Sequence, residues 1–127
     1  MSETAARPVA LVVDDDLSYR LFMRQVLDLA GFEVIVESNG RSALDRLAER
    51  PVTVLVTDLV MPEIEGLELI ELVRNGFPDL RIVAISGGGP QGGSAYLRFA
   101  RLIGANATLQ KPFSGTALIE AVLPAPE

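Results

Sequence analysis

Five polar side chains in this sequence carry charges and hydroxyl groups that suit phosphoryl chemistry. Asp14 and Asp15 follow the apolar run VALVV, Asp58 follows VTVLVT, Ser86 follows RIVAI and Lys111 follows ATLQ. Carboxylates placed close together repel one another, and two unit charges about 4 Å apart cost roughly 4 kcal/mol at an effective dielectric of about 20. A hard divalent cation such as Mg²⁺, which prefers oxygen ligands, would relieve this repulsion.

The formation of an aspartyl phosphate would use all of these groups. A carboxylate beside such a cation can attack phosphorus. The metal and a lysine would neutralise the charge that develops on the transferred group, and a serine hydroxyl could donate to a phosphoryl oxygen. Lys111 is the one lysine among eleven lysine and arginine residues. Its compact ammonium of adjustable reach suits a phosphoryl oxygen or a carboxylate whose charge changes.

Apolar, β-branched runs alternate along the chain with segments of helical spacing. The first run is continuously apolar, which is typical of a parallel strand covered on both faces. The predicted strands are Val9–Val13, Glu33–Glu37, Val52–Val56, Arg81–Ile85 and Ala107–Gln110. Helical spacing marks residues 19–30, 42–50, 66–73, 96–103 and 114–123, with Ser114 as an N-cap and with Tyr96, Phe99, Ala100 and Ile103 on one side of the fourth helix.

Five strand–helix units in a row predict an α/β fold with a five-stranded parallel sheet, right-handed crossovers and helices on both faces. In such sheets the site lies beyond the carboxyl ends of the strands, at a topological switch point. In the strand order 2-1-3-4-5, strands one and three are neighbours, so Asp14, Asp15 and Asp58 converge. Ser86 and Lys111 would arrive from the other side. Four of the five strand ends therefore deliver polar groups to one edge.

Each of these residues also has an ordinary structural interpretation when it is taken alone. The acids at 14–16 could be solvated loop residues that cap the first helix, and Asp58 could be a turn residue before Pro62. Ser86 could cap or line a loop, and Lys111 could be a surface lysine. The joint pattern at one edge of the sheet favours a site over these separate interpretations.

The composition excludes several other classes of function. The chain has 127 residues, enough for one domain, and its 49% apolar content argues against disorder. A net charge of −6 argues against binding to nucleic acid. The absence of histidine and cysteine excludes disulfides, thiolate metal sites and histidine-assisted nucleophiles. No signal peptide or apolar run of membrane-spanning length is present, so the expected location is cytoplasmic, away from the membrane.

Four motifs in order resemble the receiver domain of two-component response regulators, over about residues 8–123. VVDDD matches the paired-acid motif, and TDLVMPEIEG matches the phosphoacceptor segment, with Met61, Pro62 and Gly66 at the expected offsets. AISGG supplies the hydroxyl position, and LQKPF supplies the lysine–proline pair. The resemblance implies the three-layer, flavodoxin-like (βα)5 fold, with residues 1–7 as a flexible tail and 124–127 as a C-terminal end.

By this resemblance, Asp58 is the phosphoacceptor. It would accept a phosphoryl group from a phosphohistidine on a histidine kinase or a histidine phosphotransfer protein. Asp15, the Asp58 carboxylate and the Val60 main-chain carbonyl would hold Mg²⁺ directly, with Asp14 acting mainly through water. The domain would catalyse only its own phosphorylation and dephosphorylation, and phosphorylation would switch its contacts with other proteins.

The phosphoryl-binding residues and the switch match the family in part. Ser86 and Lys111 would bind the phosphoryl oxygens, and the Lys111–Pro112 peptide bond would be cis. Many receivers carry an aromatic residue three positions before the lysine, which rotates inward when the hydroxyl side chain moves, but this chain has Thr108 there. The glycine-rich segment 87–94 is either a plain flexible connector or, as we hypothesise, a loop that reorders around the phosphorylated aspartate and replaces the aromatic switch.

No output domain follows the last predicted helix, which favours a stand-alone, chemotaxis-regulator-like receiver or a phosphorelay intermediate. A fragment of a longer regulator would have the same sequence features. Nothing in the chain is expected to bind DNA directly. Tyr96, Phe99 and Leu102 on the fourth helix could form part of a face for a downstream protein, although their spacing favours core packing equally for Tyr96 and Phe99.

Three other classes stay open. An aspartate-based small-molecule phosphohydrolase also uses Mg²⁺ and a lysine, but it has an Asp-x-Asp motif at the first strand and usually a larger chain. A non-phosphorylated receiver-like binding module usually lacks one of the key acids, all of which are present here. A nucleotide-binding flavodoxin-like domain would have a phosphate-cradling glycine loop after the first strand, which this sequence lacks.

Overall fold

Five parallel strands form one sheet in the computed structural model, which describes residues 7–60, 66–87 and 93–124. The strands are β1 (Val9–Val13), β2 (Glu33–Glu37), β3 (Val54–Asp58), β4 (Arg81–Ser86) and β5 (Ala107–Gln110). The helices are α1 (Leu17–Leu29), α2 (Gly40–Glu49), α3 (Gly66–Gly76), α4 (Gly93–Ile103) and α5 (Gly115–Val122). The spatial order β2-β1-β3-β4-β5 confirms the predicted topology. Within these ranges, no helix is long and apolar enough to cross a membrane.

β3 lies two residues further along the chain than the apolar run predicts. It covers Val54–Asp58 rather than Val52–Val56, because pairing with both neighbouring strands sets its extent. Its first residue pairs with Ala10 of β1, and its last residue pairs with Ile85 of β4. β4 likewise continues to Ser86, one residue past its predicted end. The polar side chains expected just after these two strands are therefore buried strand residues.

Side-chain caps set where two helices begin. Asp16 precedes α1, and its carboxylate accepts a hydrogen bond from the Ser18 main-chain N–H at 2.9 Å, so the helix begins at Leu17. Ser114 accepts a hydrogen bond from the Ala117 N–H at 3.0 Å, which confirms the predicted N-cap of α5. Such caps satisfy main-chain donors that lack a partner within the helix.

The two faces of the sheet carry two hydrophobic cores, which gives the fold three layers. One core joins the sheet to α2, α3 and α4, and its buried residues include Leu11, Leu55, Leu47, Ile70 and Ala100. The other joins the sheet to α1 and α5, and its buried residues include Val12, Val56, Met23, Leu27 and Leu118. Alternate residues of β1 and β3 enter opposite cores, since successive side chains of a strand point to opposite faces. Both faces are covered, as the continuously apolar β1 predicts.

The orientation of α4 differs from the prediction. Ala100 is fully buried, and Leu97 and Ile103 pack against the core. Tyr96 and Phe99 are 46% and 52% exposed, and Leu102 is 82% exposed. The predicted grouping of Tyr96 and Phe99 with Ala100 and Ile103 on one side of the helix is therefore wrong. Of the two interpretations left open for Tyr96 and Phe99, the exposed face agrees with the structure. The core-facing set (Leu97, Ala100 and Ile103) and the exposed set (Tyr96, Phe99 and Leu102) both repeat every three residues. Spacing alone therefore does not tell which set faces the core. The stripe with the small Ala100 faces the core.

Arg74, near the end of α3, joins the segments that lead into β4 and β5. Its guanidinium donates to the main-chain oxygens of Leu80 at 2.7 Å and Gly104 at 2.6 Å, and to Asn106 Oδ1 at 2.9 Å. It also donates to the Pro78 carbonyl oxygen at 2.9 Å. This network lies at the amino ends of the strands, opposite the edge where the polar strand ends meet.

Candidate functional site

The strand register brings the predicted site residues to one edge of the sheet. Asp14 directly follows β1, Asp58 is the last residue of β3, and Ser86 is the last residue of β4. Lys111 directly follows β5. All three strand-end residues on β1, β3 and β4 are buried, with Asp14 fully so. Burial of ionisable groups at adjacent strand ends gives the site a strong local electrostatic field.

Three carboxylates form the acidic part of the site. One oxygen from each of Asp14, Asp15 and Asp58 lies within 4.8 Å of the others. Asp15 is exposed, whereas Asp14 and Asp58 are buried. The predicted convergence of the three acids is therefore present in the structure, with one acid on the solvent side.

Lys111 bridges the two buried acids. Its Nζ lies 2.9 Å from Asp14 Oδ2 and donates a hydrogen bond to Asp58 Oδ2 at 3.3 Å. Its side chain is only 12% exposed. Burial by itself favours the neutral amine, but the contact with Asp14 and the charges of both carboxylates outweigh it and raise the pKa of Lys111. The surface-lysine interpretation of Lys111 is excluded, and the residue is a protonated cation of the site.

Asp14 is held rigidly and keeps one oxygen available. Its Oδ1 accepts the main-chain N–H of Asp16 at 2.9 Å, and its main-chain oxygen accepts a hydrogen bond from Arg20 at 2.8 Å. Its Oδ2 is buried and accepts no well-directed hydrogen bond, although it forms the ion pair with Lys111. A buried carboxylate oxygen needs a nearby positive charge, and Lys111 supplies it here.

Asp58 lies close to Asp14, Asp15 and Lys111. Its charged form is less favourable than that of a solvent-exposed aspartate. Burial and then repulsion from Asp14 raise the pKa of Asp58, while Lys111 and the Val60 N–H oppose the rise. The Val60 N–H donates to Asp58 Oδ1 at 3.4 Å, which places Val60 at the site. An added positive charge near this carboxylate would favour the ionised form that a nucleophile requires.

The donor set fits a hard divalent cation. Three carboxylates and one ammonium leave a local charge of −2, which one divalent cation would neutralise. The available ligands are oxygens, as Mg²⁺ and Ca²⁺ require, and the sequence has no cysteine thiolate or histidine imidazole to offer.

The hydroxyl and proline positions lie beside this cluster. Ser86 is 3% exposed, and its main-chain oxygen accepts the Lys111 N–H at 2.8 Å. The Lys111–Pro112 peptide bond is cis. Thr108 lies in β5, half-buried, where the family often has an aromatic residue. Met61 and Pro62, and residues 88–92 of the glycine-rich segment, lie outside the described residues.

Gly66 allows the start of α3 to approach the end of β3. A Cβ atom at this position would lie 2.0 Å from the Asp58 main-chain oxygen and 2.5 Å from Leu59 Cα. The Gly66 N–H donates to the Leu59 main-chain oxygen at 3.1 Å. Only glycine leaves room for this contact, which explains its place in the phosphoacceptor motif.

Two residues that the sequence analysis did not assign to the site are in contact with it. The ring of Tyr19 lies against Lys111, with Nζ 4.1 Å from the ring centroid. Arg20 donates to the Asp14 main-chain oxygen. Both lie at the start of α1, shortly after the paired acids. Their closeness to these acids in the sequence is the feature that could have indicated a position near the site.

A comparison with protein families decides the class of this domain. The family model of the response regulator receiver domain matches residues 10–123. The chain belongs to the response regulator receiver domain family. This receiver domain is therefore a signalling module of two-component systems, and the phosphohydrolase, the non-phosphorylated binding module and the nucleotide-binding alternative are not favoured.

Relatives of similar length support the assignment. The receiver domain is 31% identical over 113 residues to the chemotaxis protein CheY of Thermotoga maritima, covering 88% of this chain and 92% of that protein. It is 36% identical over 114 residues to CheY1 of Helicobacter pylori, covering 87% and 90%. It is 43% identical over 77 residues to the receiver protein CpdR of Brucella abortus, where the match covers 61% of this chain and 64% of that protein, slightly under two thirds.

Solved structures show the same fold. The chemotaxis response regulator CheY4 of Vibrio cholerae superposes with a TM-score of 0.80 at 27% identity, covering 93% of this chain and all of that chain. A putative response regulator from Chloroflexus aurantiacus superposes with a TM-score of 0.84 at 29% identity, covering 92% and 95%. These likenesses agree with the flavodoxin-like, three-layer architecture of the receiver domain.

Proposed function

We propose that this receiver domain accepts a phosphoryl group on Asp58 from a phosphohistidine of a histidine kinase or a histidine phosphotransfer protein. The observation that carries the proposal is the position of the Asp58 carboxylate. Its side chain is 8% exposed, it contacts Lys111, and it lies within 4.8 Å of Asp14 and Asp15. A carboxylate in this setting has both a cationic partner and neighbouring oxygens that could hold a metal, and both favour nucleophilic attack on phosphorus.

The proposed transfer forms one bond and breaks one bond. An oxygen of Asp58 attacks phosphorus, and the new O–P bond forms as the P–N bond of phosphohistidine breaks. The electron pair of the P–N bond returns to the imidazole nitrogen, which takes a proton from water. Lys111, already on Asp58 Oδ2, would then hold a phosphoryl oxygen, and the Ser86 hydroxyl would donate to another.

We propose Mg²⁺ as the cofactor. Asp15, the Asp58 carboxylate and the Val60 main-chain carbonyl would hold it directly, and Asp14 would hold it through water. When bound, it would neutralise charge on the transferring phosphoryl oxygens. The local charge of −2 from the chain's own residues supports a divalent rather than a monovalent ion.

The proposed output is a change in protein contacts rather than turnover of a substrate. The domain would catalyse only its own phosphorylation and dephosphorylation, in the cytoplasm, and the downstream protein is unidentified. With Thr108 in place of the usual aromatic residue, the reordering of segment 87–94 around phosphorylated Asp58 stays a prediction. Amide exchange with and without beryllium fluoride tests it, and unchanged protection across residues 87–94 would contradict it.

Phosphorylation by a small-molecule donor tests the assignment of Asp58. The domain is incubated with Mg²⁺ and acetyl phosphate, and intact mass is measured before and after acid or base treatment that cleaves acyl phosphates. We expect the wild type to gain one labile phosphoryl group and Asp58→Asn to gain none. Asp16→Asn is the matched control, because it removes a neighbouring acid while asparagine still caps α1.

Two outcomes would overturn the proposal. One is a variant lacking Asp58 that gains phosphate as the wild type does. The other is a wild type that gains no phosphate from acetyl phosphate or from a histidine kinase and does not bind beryllium fluoride with Mg²⁺. Rapid turnover of a generic phosphatase substrate would instead revive the phosphohydrolase alternative.

A further inference from the structure

Tyr19 contacts the one lysine of the chain at its charged end. The Lys111 ammonium lies 4.1 Å from the centroid of the Tyr19 ring. A cation within about 6 Å of the centre of an aromatic ring is attracted by the ring's electron-rich face. The lysine side chain is 12% exposed, so little water competes with this contact.

The ammonium also lies close to two carboxylates. Asp14 Oδ2 lies 2.9 Å and Asp58 Oδ2 lies 3.3 Å from Nζ. Both carboxylates are also the acids that a cation or a phosphoryl group would engage. A bound cation or phosphoryl group would change the charge around the two carboxylates. It would not change the charge of the Tyr19 ring.

The position of the Tyr19 ring is fixed by packing. Its centroid lies 6.3 Å from that of Phe22, edge to face, and 5.7 Å from that of Phe113. Phe22 and Phe113 are 6.0 Å apart, so the three rings contact one another in a closed cluster. Phe113 lies two residues after Lys111, and Tyr19 and Phe22 lie on α1. The cluster therefore links the first helix to the segment that carries the lysine.

We propose that Tyr19 is a positioning residue for Lys111, and that its ring senses the movement of the ammonium when Asp58 is phosphorylated. Before phosphorylation the ring helps to keep the ammonium on the two buried carboxylates. Afterwards the ammonium follows a phosphoryl oxygen, and its distance from the ring changes. The first part stands on the contacts alone, and the second rests on the proposed function. Tyr19 thus supplies, from α1, an aromatic contact with the site that Thr108 does not supply from β5.

The single lysine makes the first part directly measurable. Protein labelled with ¹³Cε-lysine gives one Lys111 signal, because the chain has no other lysine. A ring over the ammonium shifts the attached Hε protons upfield. We expect Tyr19→Phe to retain this upfield shift and Tyr19→Leu to lose it. Tyr96→Leu is the matched control, because it removes the only other tyrosine, which is exposed on α4, and it should leave the signal unchanged.

The phosphorylation rate gives an independent reading. A cation–π contact worth about 0.5 to 2 kcal/mol corresponds to roughly a 2- to 30-fold change in rate. We expect phosphorylation by acetyl phosphate to slow by this factor in Tyr19→Leu and to recover in Tyr19→Phe. Beryllium fluoride with Mg²⁺ should move the Lys111 signal in the wild type and move it less in Tyr19→Leu.

The outcomes separate this inference from the proposed function. A Lys111 signal that is the same in Tyr19→Leu and the wild type overturns the positioning role, even if Asp58 is phosphorylated normally. Equal loss of the upfield shift in Tyr19→Phe and Tyr19→Leu also overturns it, because the effect would then depend on the tyrosine hydroxyl and not on a ring over the ammonium. A wild type that is never phosphorylated, with the expected signals in the variants, supports the positioning role, overturns the sensing role and rejects the proposed function.

Discussion

Substitution of Lys111 by methionine should expose the electrostatic cost of the two buried acids. Each of the contacts at 2.9 and 3.3 Å to Asp14 and Asp58 contributes roughly 5 kcal/mol of attraction at an effective dielectric of about 20, before desolvation is subtracted. Removing one partner of a buried ion pair typically costs about 3–5 kcal/mol, because it leaves an uncompensated charge. We therefore expect Lys111→Met to lose about 3–5 kcal/mol of unfolding free energy, which for this chain length lowers Tm by roughly 10–20 °C.

Denaturation with urea, followed by far-ultraviolet circular dichroism, measures this loss. In EDTA, which removes divalent cations, Lys111→Met should show the full loss of unfolding free energy at neutral pH. In saturating Mg²⁺ it should fall by half or more, because the metal supplies positive charge to the same carboxylates. Asp14→Asn in the Lys111→Met background should recover stability, since it removes one of the stranded charges. Arg101→Met, which removes an exposed positive charge from α4, is the control and should change stability by no more than about 0.5 kcal/mol.

Two results would refute this reasoning. If Lys111→Met lost the same free energy in EDTA and in Mg²⁺, the loss would come from the packing of the lysine stem rather than from charge. If the losses from Asp14→Asn and Lys111→Met simply added, the two groups would not be coupled, and the ion pair at 2.9 Å would contribute nothing to folding.

Three further substitutions probe Asp58, Gly66 and Arg74. In EDTA, Asp58→Asn should be more stable than the wild type by about 1.4 kcal/mol for every unit by which the pKa of Asp58 is raised overall in the folded protein. That gain should vanish only well below the unfolded pKa of 3.8, grow as the pH rises through 3.8, and level off above the raised folded pKa, because only the wild type must ionise a buried acid. Urea midpoints across this range check it, and a gain independent of pH would contradict it. Gly66→Ala should lose about 3 kcal/mol, because its Cβ would lie 2.0 Å from a main-chain oxygen, while Gly76→Ala, with nothing within 4 Å, should be neutral or slightly stabilising in the same assay. Arg74→Lys should lose about 2–3 kcal/mol of unfolding free energy, measured by thermal unfolding, because an ammonium cannot reach all the carbonyls to which the guanidinium donates. An equal loss in the exposed control Arg24→Lys would contradict this.

The parts of the fold and site that the sequence predicts are those set by local pattern. Apolar runs that end in Asp14, Asp58 or Lys111 identify both the strands and the edge of the sheet where the site lies. The parallel direction places these ends at the same edge of the sheet, and the strand order 2-1-3-4-5 makes the ends of strands one and three neighbours. The Ser114 cap is likewise local, because one side chain satisfies an N–H three residues away.

The parts that could not be predicted depend on contacts between distant segments. The extent of β3 is set by its pairing with β1 and β4, so its own apolar run placed it two residues too early. Two stripes of α4 share the same spacing, and only packing against the sheet chose Ala100 over Phe99 as the buried position. The contact between Tyr19 and Lys111 joins residues 92 positions apart, which spacing within one helix does not reveal.

The solitary lysine also has a chemical consequence. Amines react with acyl donors only as the free base, and acylation would abolish the charge of the chain's one ε-amine. Although burial favours the neutral amine, Asp14 and Asp58 raise the pKa of Lys111 and so keep it in its unreactive form. Asp14 and Asp58, whose charges Lys111 balances, thus also protect Lys111 from acylation. The rate at which an acyl donor modifies Lys111 itself, followed at that residue, is therefore a measure of whether the contacts with Asp14 and Asp58 are intact.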